Sequence, residues 1–386
     1  MVRCIHCGEV HAITRSGIVR GKQRYYCKDC KLYFILKEEA PSQAIASVRP
    51  HMTTIVDIAK ALNISKSTVS RALHEHSDIN EQTRNDVLEM ARKLDYQPNL
   101  LAKSLVNSKS NTIGIIVPEF LTYFFPTIIM AAQEVATKAG YNVIICQSHE
   151  SRKTEKANAN VLLLNRVDGV LVSMTRETNS FEHFKTFERH GIPIVFFNRV
   201  CEEINTSKVL VDDYKGSFMA VEHLIQSGYK NIAHIGGPLS LQLTHNRLNG
   251  YLAALKKYGL ASGKDQIIHC DLSKKGAINA AETLLTKKRN RPDAVFCVND
   301  PVAIQLIMLA RKKGIRVPRE LGVVGFSDDP MAEIIDPGLT TIQQPVSIIG
   351  REAMELLLRS IQTEGKAEPI VRSLKPKLVI RGSSVR

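Results

Sequence analysis

The sequence predicts a multidomain chain with a small cysteine-rich ribbon, a bundle of short helices and an α/β core of two lobes with parallel sheets. Three observations support this fold class. Two Cys-x-x-Cys pairs lie in residues 1–40, an apolar helical period runs through residues 53–97, and strand-like apolar runs alternate with amphipathic helices after residue 110. A chain of 386 residues is also too long for one ordinary domain.

The first 40 residues have the cysteine spacing of a structural zinc ribbon. Nineteen residues separate one Cys-x-x-Cys pair from the next, and two such pairs complete a tetrahedral shell of four thiolates. The predicted ligands of one structural zinc ion per chain are Cys4, Cys7, Cys27 and Cys30. A reducing compartment favours metal over disulfides, and so small a segment needs a metal to fold. Four cysteines close the shell, so His6 and His11 are expected to be surface residues.

The bundle of residues 53–97 begins with a helix that has a clear apolar face. Its inward positions recur at i, i+3, i+4 and i+7 and are Ile55, Ile58, Ala59 and Leu62. Thr54 and Asp57 have the spacing of a capping box. Asn63 follows, a residue that tolerates the left-handed conformation and therefore a sharp turn.

Two further helices complete the predicted bundle. Ser65 is a natural N-cap for a helix from Ser67 to His74, and Asn80 caps a third helix. The residues predicted to face inward are Val69, Leu73, Val87, Leu88, Ala91 and Leu94. The second helix leaves Lys66, Ser67, Ser70 and Arg71 pointing outward. An ordinary solvated helix face is the simpler interpretation, but the whole pattern favours a helix-turn-helix recognition face for the DNA major groove.

The bundle resembles the DNA-binding headpiece of the lactose-repressor (LacI-type) family. The similarity lies in the run DIAKALNISKSTVSRAL, in Thr83-Arg84 and in LDYQPNLLAKSL. The resemblance implies a hinge helix from Pro98 to Leu105 within a hinge-and-linker segment of residues 98–111. It also implies that Lys66, Ser67 and Arg71 contact bases and that Leu105 enters the minor groove as an apolar wedge. The remaining DNA-binding residues expected from it are Thr54, Ser70, Asn99 and Lys103.

Two roles remain open for the ribbon, which resembles the zinc ribbons that precede helix-turn-helix regions in some insertion-sequence transposases. A predicted hairpin with its turn at Gly21 carries basic side chains that could touch DNA phosphates, namely Arg15, Arg20, Lys22 and Arg24. The alternative is a structural or protein-docking appendage. Residues 41–52 are small and polar and are interpreted as a linker.

Residues 112–386 have the pattern of two doubly wound subdomains. Nine apolar runs, from TIGIIV at residues 112–117 to LGVVGFSD, alternate with helices that often end at a glycine. Such runs indicate parallel sheets covered on both faces. The family resemblance implies a periplasmic-binding-protein-like core with its ligand between the lobes. The lobe boundary is expected near residue 212, with crossovers near residues 340 and 366.

Ligands of such sheets bind beyond the carboxyl ends of the strands. The candidate effector-binding residues in these loops and in the following helices are Tyr123, Phe124, Phe125, Arg247, Leu272, Asn299, Asp300, Ser327 and Asp328. An acidic residue at a strand end can instead cap the next helix. Ser327 stands where the family often has aspartate, and Leu272 where it often has an aromatic residue. The identity of the effector therefore stays open.

Composition narrows the functional class. A net charge of +14 suits a polyanionic partner, and the sequence contains neither a membrane-spanning apolar run nor a signal-peptide core. We expect a cytoplasmic, nucleoid-associated location without membrane contact. An exported sugar-binding transport protein would not need the headpiece, and the carboxylate cluster of a transposase is not found. The sequence therefore predicts a non-enzymatic repressor, dimeric or possibly tetrameric, that binds an operator and responds to a sugar or sugar derivative.

Overall fold

The computed structural model of the protein describes residues 2–19, 22–36, 53–74, 76, 78–97, 109–261, 263–287 and 289–386. The chain divides into two compact units, Met1–Asn99 and Leu100–Arg386. The predicted turn at Gly21, the linker of residues 41–52 and the hinge helix lie outside the described residues.

The ribbon is a three-stranded antiparallel sheet in the order β1-β2-β3. Its strands are β1 (Ile13–Val19), β2 (Lys22–Cys27) and β3 (Tyr33–Ile35). The buried apolar core consists of Cys4, Cys27 and Phe34. So small a core cannot stabilise a fold by apolar burial alone, which agrees with the expectation of a metal-dependent segment.

The headpiece contains three helices: α1 (Ile55–Leu62), α2 (Lys66–Leu73) and α3 (Glu81–Lys93). Asn63 has φ 52° and ends α1 in the left-handed conformation, as predicted. The side chains of Ser65 and Asn80 cap α2 and α3 by accepting hydrogen bonds from the amides of Thr68 and Thr83.

The headpiece core corrects one predicted inward position. The buried residues are Ile58, Ala59, Val69, Ala72, Val87 and Ala91. Leu88 is 38% exposed, whereas Met90 packs against the core. The inward face of α3 follows Val87, Met90, Ala91 and Leu94, the i, i+3, i+4 and i+7 positions. Leu88 is turned away because each residue advances about 100° around a helix.

The first lobe of the core is a six-stranded parallel sheet in the order β14-β8-β7-β6-β4-β5. Its strands are β4 (Thr112–Val117), β5 (Asn142–Gln147), β6 (Gly169–Val172), β7 (Ile194–Phe197), β8 (Lys208–Val211) and β14 (Val371–Leu374). Its helices are α4 (Phe124–Lys138), α5 (Arg152–Leu164), α6 (Glu182–Arg189) and α12 (Val346–Gln362). Gly350 allows α12 to lie close to α4, because a Cβ there would be 2.2 Å from the carbonyl oxygen of Ile128.

The second lobe has a four-stranded parallel sheet in the order β10-β9-β11-β12 and an antiparallel pair, β13 with β15. The strands are β9 (Ile232–Gly236), β10 (Ile267–His269), β11 (Ala294–Cys297), β12 (Gly322–Val324), β13 (Thr341–Gln343) and β15 (Lys377–Val379). The helices are α7 (Asp213–Gln226), α8 (Gln242–Lys257), α9 (Lys274–Leu285), α10 (Asp300–Lys312) and the short α11 (Met331–Ile334).

The chain crosses between the lobes at three places. The first crossing follows β8 near Asp212, and the second connects β13 to α12. The third lies between Leu374 and Lys377, later than the predicted position near residue 366, because β14 first adds an edge strand to the first lobe. Sequence periodicity missed β13, β14 and β15, because their sequences TIQ, VRSL and KLV contain polar or charged residues and form no continuous apolar run. No described helix has the length and apolar character needed to cross a membrane.

Candidate DNA-recognition, metal and effector sites

The second headpiece helix presents the four predicted recognition residues on one side. Val69 and Ala72 are buried against the other two helices. Lys66, Ser67 and Arg71 are exposed and Ser70 is partly exposed, at the i, i+1, i+4 and i+5 positions of one helix face. The Ser65 cap orders the first turn of α2, where residues of such helices reach base edges in the major groove.

Arg71 forms an ion pair that the sequence did not predict. Its Nη1 atom lies 2.6 Å from Oδ2 of Asp78, and about half of each side chain is exposed. An ion pair in such high dielectric contributes at most about 1 kcal/mol. The pair therefore orients the guanidinium but can be exchanged for the acceptor edge of a guanine.

The remaining predicted DNA-binding residues are Thr54, at the start of α1, and three residues of the hinge segment. Thr54 donates its amide and hydroxyl hydrogens to the carboxylate of Asp57, at 2.8 and 2.7 Å, so this pair orders the start of α1. Asn99, Lys103 and Leu105 lie outside the described residues, and their roles stay predictions.

The four ribbon cysteines converge on one point. The Sγ atoms of Cys4 and Cys30 are 3.6 Å apart, as are those of Cys7 and Cys27, and all four lie within 4.8 Å of one another. A disulfide would need about 2 Å between sulfurs, whereas a tetrahedral tetrathiolate zinc centre places them about 3.8 Å apart. The cluster is therefore compatible with a metal site. His6 and His11 are exposed and do not belong to it.

The core contains a cavity between its lobes at the carboxyl ends of the strands. Seven of the nine candidate effector residues line it: Tyr123, Phe124, Phe125, Arg247, Leu272, Asn299 and Ser327. The first lobe contributes the three aromatic residues at the start of α4. The second contributes Arg247 from α8, with loop residues that follow β10, β11 and β12.

Arg247 is buried and its charge is balanced within the protein. Its Nε atom donates to Oδ1 of Asp213 at 2.8 Å, Nη2 lies 2.7 Å from the same oxygen, and Nη1 donates to the carbonyl of Val298. The guanidinium carbon is 3.7 Å from the centre of the Phe326 ring. Burial raises the pKa of Asp213, and the positive charge of Arg247 opposes this shift.

A second arginine on the cavity wall is balanced in the same way. Arg199 donates from Nη1 to both carboxylate oxygens of Glu150, at 2.8 and 2.9 Å. Burial is the largest influence on the pKa of Glu150 and acts to raise it, but the charges and hydrogen bonds of Arg199 and Arg176 together outweigh it, so the pKa is lowered overall. Two acidic residues, Glu119 and Asp329, also line the cavity.

The structure places two predicted effector residues away from the cavity wall. Asp300 is completely buried, where it accepts hydrogen bonds from the hydroxyl of Thr341 and the amide of Asp329, at 2.6 and 2.7 Å. Burial raises the pKa of Asp300 to about 6. Asp328 pairs with Arg381 at 2.8 Å. Both carboxylates hold loops of the second lobe together, so neither is retained as an effector ligand.

Sequence reasoning missed several polar residues of the cavity wall, including Asn198, Arg199 and Gln344. Asn198 and Arg199 directly follow β7, so the strand-end rule would have found them had it been applied to that strand. Gln344 follows the short β13, which has no apolar run. It donates to the hydroxyl of Ser327 at 3.0 Å, while its own Oε1 atom is buried without a protein partner.

The lobes also contact each other beside the cavity. The guanidinium of Arg176, in the first lobe, donates to the carbonyl of Asp271 in the second. The hydroxyl of Ser240 donates back to the carbonyl of Arg176 at 2.7 Å. These hydrogen bonds bridge the two lobes beside the cavity.

Comparison with known proteins supports this architecture. Residues 54–99 match the family described as bacterial regulatory proteins, lacI family, and residues 221–384 match a periplasmic binding protein-like domain. The HTH-type transcriptional repressor CytR of Escherichia coli (strain K12) is 33% identical over 331 residues, which cover 86% of this chain and 96% of CytR.

Solved structures show the same fold. A transcriptional regulator CelR–cellobiose complex has a TM-score of 0.66 at 26% identity, and the match covers 86% of this chain and 99% of CelR. A lac repressor dimer bound to operator and the anti-inducer ONPF has a TM-score of 0.75 at 24% identity, with the same coverage. From the headpiece match and the near full-length similarity to CytR, we conclude that this chain belongs to the lacI family of bacterial regulatory proteins and is a DNA-binding regulator of transcription.

Proposed function

We propose that the protein is a homodimeric repressor that binds an operator through α2 and the hinge segment, and that an effector in the cleft between the lobes changes its affinity for DNA. Because the two sites are coupled, each ligand must change the affinity of the other by the same factor. Such a regulator acts where the DNA is, in the cytoplasm. The relatives support this function, since CytR is a repressor and the lac repressor was solved as an operator-bound dimer.

The balanced charges of the cavity indicate an uncharged effector, a neutral sugar or a nucleoside. Arg199 and Arg247 are each paired with a carboxylate of the protein, so neither offers an uncompensated charge to an anion. A phosphorylated ligand would also lie near the carboxylates of Glu119 and Asp329. Burying a phosphate without a cation carries a penalty of several kcal/mol.

Uncharged polar groups and aromatic rings remain to bind such a ligand. The buried Oε1 of Gln344 can accept a hydrogen bond from a hydroxyl or an amine, which would satisfy an acceptor that has no protein partner. Tyr123 and Phe124 are aromatic residues of the cavity wall, and aromatic rings are suited to stack on a sugar or a base. The similar regulator CelR was solved with cellobiose, a neutral sugar.

The test is isothermal titration calorimetry of the full chain with neutral sugars and nucleosides and with the phosphorylated form of each. Each factor of ten in affinity corresponds to 1.4 kcal/mol, so the penalty of several kcal/mol for burying an unpaired phosphate corresponds to about 100-fold or more. We therefore expect neutral compounds to bind at least about 100-fold more tightly than their phosphorylated forms. Fluorescence anisotropy with an operator selected from random DNA then shows whether the tightest ligand changes DNA affinity. Tighter binding of the phosphorylated forms would refute the neutral-effector assignment.

Gln344→Met tests the role of the buried amide. Loss of a hydrogen bond to the ligand should weaken effector binding by about tenfold, while operator affinity without effector stays unchanged. Gln343→Met is the matched control, because Gln343 is exposed and donates to Asp328 rather than lining the cavity. Equal effector affinities for wild type and Gln344→Met would show that Gln344 is not a ligand.

The cysteine cluster is proposed to hold one structural zinc ion per chain, bound by Cys4, Cys7, Cys27 and Cys30. The sulfur geometry and the small apolar core support this assignment. Elemental analysis of protein purified without chelator should find one zinc per chain, and Cys27→Ser should lose it. Cys146→Ser, in a strand of the first lobe, is the control that keeps its metal. Wild-type protein without zinc would refute the assignment.

A further inference from the structure

The strand register of the ribbon divides its side chains between two faces. Residues directly opposite each other on neighbouring strands project from the same face of a sheet. Arg15, Tyr25 and Phe34 form one such row, and Tyr25 stacks on the buried Phe34 with ring centres 5.7 Å apart. This face includes Cys27 and covers the cysteine cluster. We call it the metal face.

The opposite face, which we call the outer face, carries aromatic and basic side chains in contact. Tyr26 and Tyr33 are direct neighbours with ring centres 4.8 Å apart. Arg24, two residues before Tyr26 on β2, lies with its guanidinium carbon 4.5 Å from the centre of the Tyr33 ring. Its Nε atom donates to the carbonyl of Ser16 at 3.2 Å. A guanidinium has five N–H donors, and the hydrogen bond to Ser16 uses one of them, so among the described residues donors remain for a ligand while the ring and the carbonyl fix its position.

The charge of the ribbon identifies the kind of ligand. Residues 1–36 contain seven basic residues, Arg3, Arg15, Arg20, Lys22, Arg24, Lys28 and Lys31, against two acidic ones, Glu9 and Asp29. A tetrathiolate zinc centre adds a charge of about −2, which leaves the segment at about +3. Basic side chains interleaved with aromatic rings suit nucleic acids, whose phosphates attract the cations and whose sugars and bases pack on the rings.

The position of the ribbon in the chain indicates which nucleic acid it meets. Sixteen residues, 37–52, separate it from the described start of the headpiece at Thr53. At about 3.4 Å per residue this segment spans at most about 55 Å, or about 16 base pairs of duplex DNA. When the headpiece is on its half-site, flanking DNA is therefore present near the ribbon at a high effective concentration, and a weak contact suffices for binding.

We propose that the outer face of the ribbon, with Arg24, Tyr26 and Tyr33, is a second DNA contact that binds the backbone of the duplex beside the half-site recognised by α2. This inference rests on the proposed operator binding and on the zinc-stabilised ribbon. The ribbon would lengthen the operator of this protein beyond what the headpiece alone covers.

The experiment compares two duplexes with the full chain. The short duplex contains only the two half-sites, and the long duplex adds about 16 base pairs on each side, the reach of the 16-residue connection. Fluorescence anisotropy over a salt series gives the affinity and the slope of its logarithm against the logarithm of salt concentration. Wild type should bind the long duplex more tightly and with a steeper slope, because more phosphates are neutralised.

Arg24→Gln removes the central charge of the outer face, and Arg15→Gln makes the same change on the metal face. We expect Arg24→Gln to weaken binding to the long duplex about fivefold and to reduce the slope by about 2 per dimer, since each lost phosphate contact contributes about 0.9. Binding to the short duplex should not change. Arg15→Gln should affect neither duplex. Zinc content equal to wild type shows that each variant keeps its ribbon folded, and Tyr33→Leu is the second variant if Arg24→Gln loses zinc.

Three results would overturn the inference. Wild type could bind both duplexes with the same affinity and slope, Arg24→Gln could weaken both duplexes equally, or Arg15→Gln could act as strongly as Arg24→Gln. The last result would indicate diffuse attraction rather than a specific face. Arg71→Ala separates this test from the proposed function, because it should weaken specific binding to both duplexes equally, by about 1–3 kcal/mol. If Arg71→Ala has no effect, operator recognition by α2 is wrong, whatever the ribbon variants show.

Discussion

Replacing Arg247 by methionine should destabilise the second lobe far more than its place on a cavity wall would suggest. Arg247 and Asp213 are 5% and 7% exposed and in direct contact, so Arg247→Met leaves a buried carboxylate without its cation. Breaking a buried ion pair in this way costs about 3–5 kcal/mol. The double variant Asp213→Leu/Arg247→Met removes both charges of this pair, so neither is left buried without its partner. Most of the lost stability should therefore return.

Hydrogen–deuterium exchange measured by mass spectrometry tests this prediction locally. Amides of α7 (Asp213–Gln226) and α8 (Gln242–Lys257), which carry the two partners, should exchange about a hundredfold or more faster in Arg247→Met, because exchange from locally opened states follows the opening free energy. Lys257→Met is the matched control. It removes the exposed ion pair between Lys257 and Glu222 on the same two helices, which contributes at most about 1 kcal/mol.

The dependence on pH provides a second readout with a definite sign. Without Arg247, burial and the nearby charge of Asp212 raise the pKa of Asp213 unopposed, and a raised carboxyl pKa destabilises the fold at pH values above the unfolded pKa. The loss of stability in Arg247→Met should therefore become smaller as the pH is lowered through the pKa that Asp213 has in the folded state. Unchanged exchange in Arg247→Met, or equally fast exchange in the double variant, would refute the reasoning. The result also matters for effector studies, where a loss of response in an Arg247 variant would reflect damage to the lobe as much as a lost ligand contact.

Two further predictions concern DNA recognition and pH. Arg71→Ala should lower specific operator binding by about 1–3 kcal/mol and relax the base preference of one position, which selection from random DNA would detect; unchanged affinity and preference would exclude Arg71 from recognition. For Asp300, whose pKa is raised to about 6 by burial, the folded state binds more protons than the unfolded state between pH 4 and 6. Wild type should therefore lose up to about 3 kcal/mol of stability relative to Asp300→Asn as the pH rises from 4 to 6, with little change above 7. Thermal or urea unfolding of both proteins across this range measures the difference, and parallel curves would contradict it.

Local chemistry was sufficient to predict most of the helices and strands of this protein, with β13, β14 and β15 as exceptions. The spacing of the cysteines, the caps at Ser65 and Asn80 and the turn at Asn63 depend on residues close in sequence, and the structure has each of them in the predicted place. The nine apolar runs became strands for the same reason, since alternation with helices determines a parallel sheet covered on both faces. Most of the candidate effector residues, which were expected in loops at strand ends and in the helices that follow, line one cavity in the structure.

The partners of charged side chains were decided only by the tertiary structure. Asp213 and Arg247 are 34 residues apart, and Glu150 and Arg199 are 49 apart, so no local pattern connects them. Asp300, which local pattern marked as a ligand, is instead buried against Thr341, 41 residues away. These contacts join loops from different strands, and burial makes it costly to leave any of the charges unpaired. The sequence by itself thus determined the family fold and the position of the cleft, whereas long-range ion pairing in the folded core decided which charges remain available to a ligand.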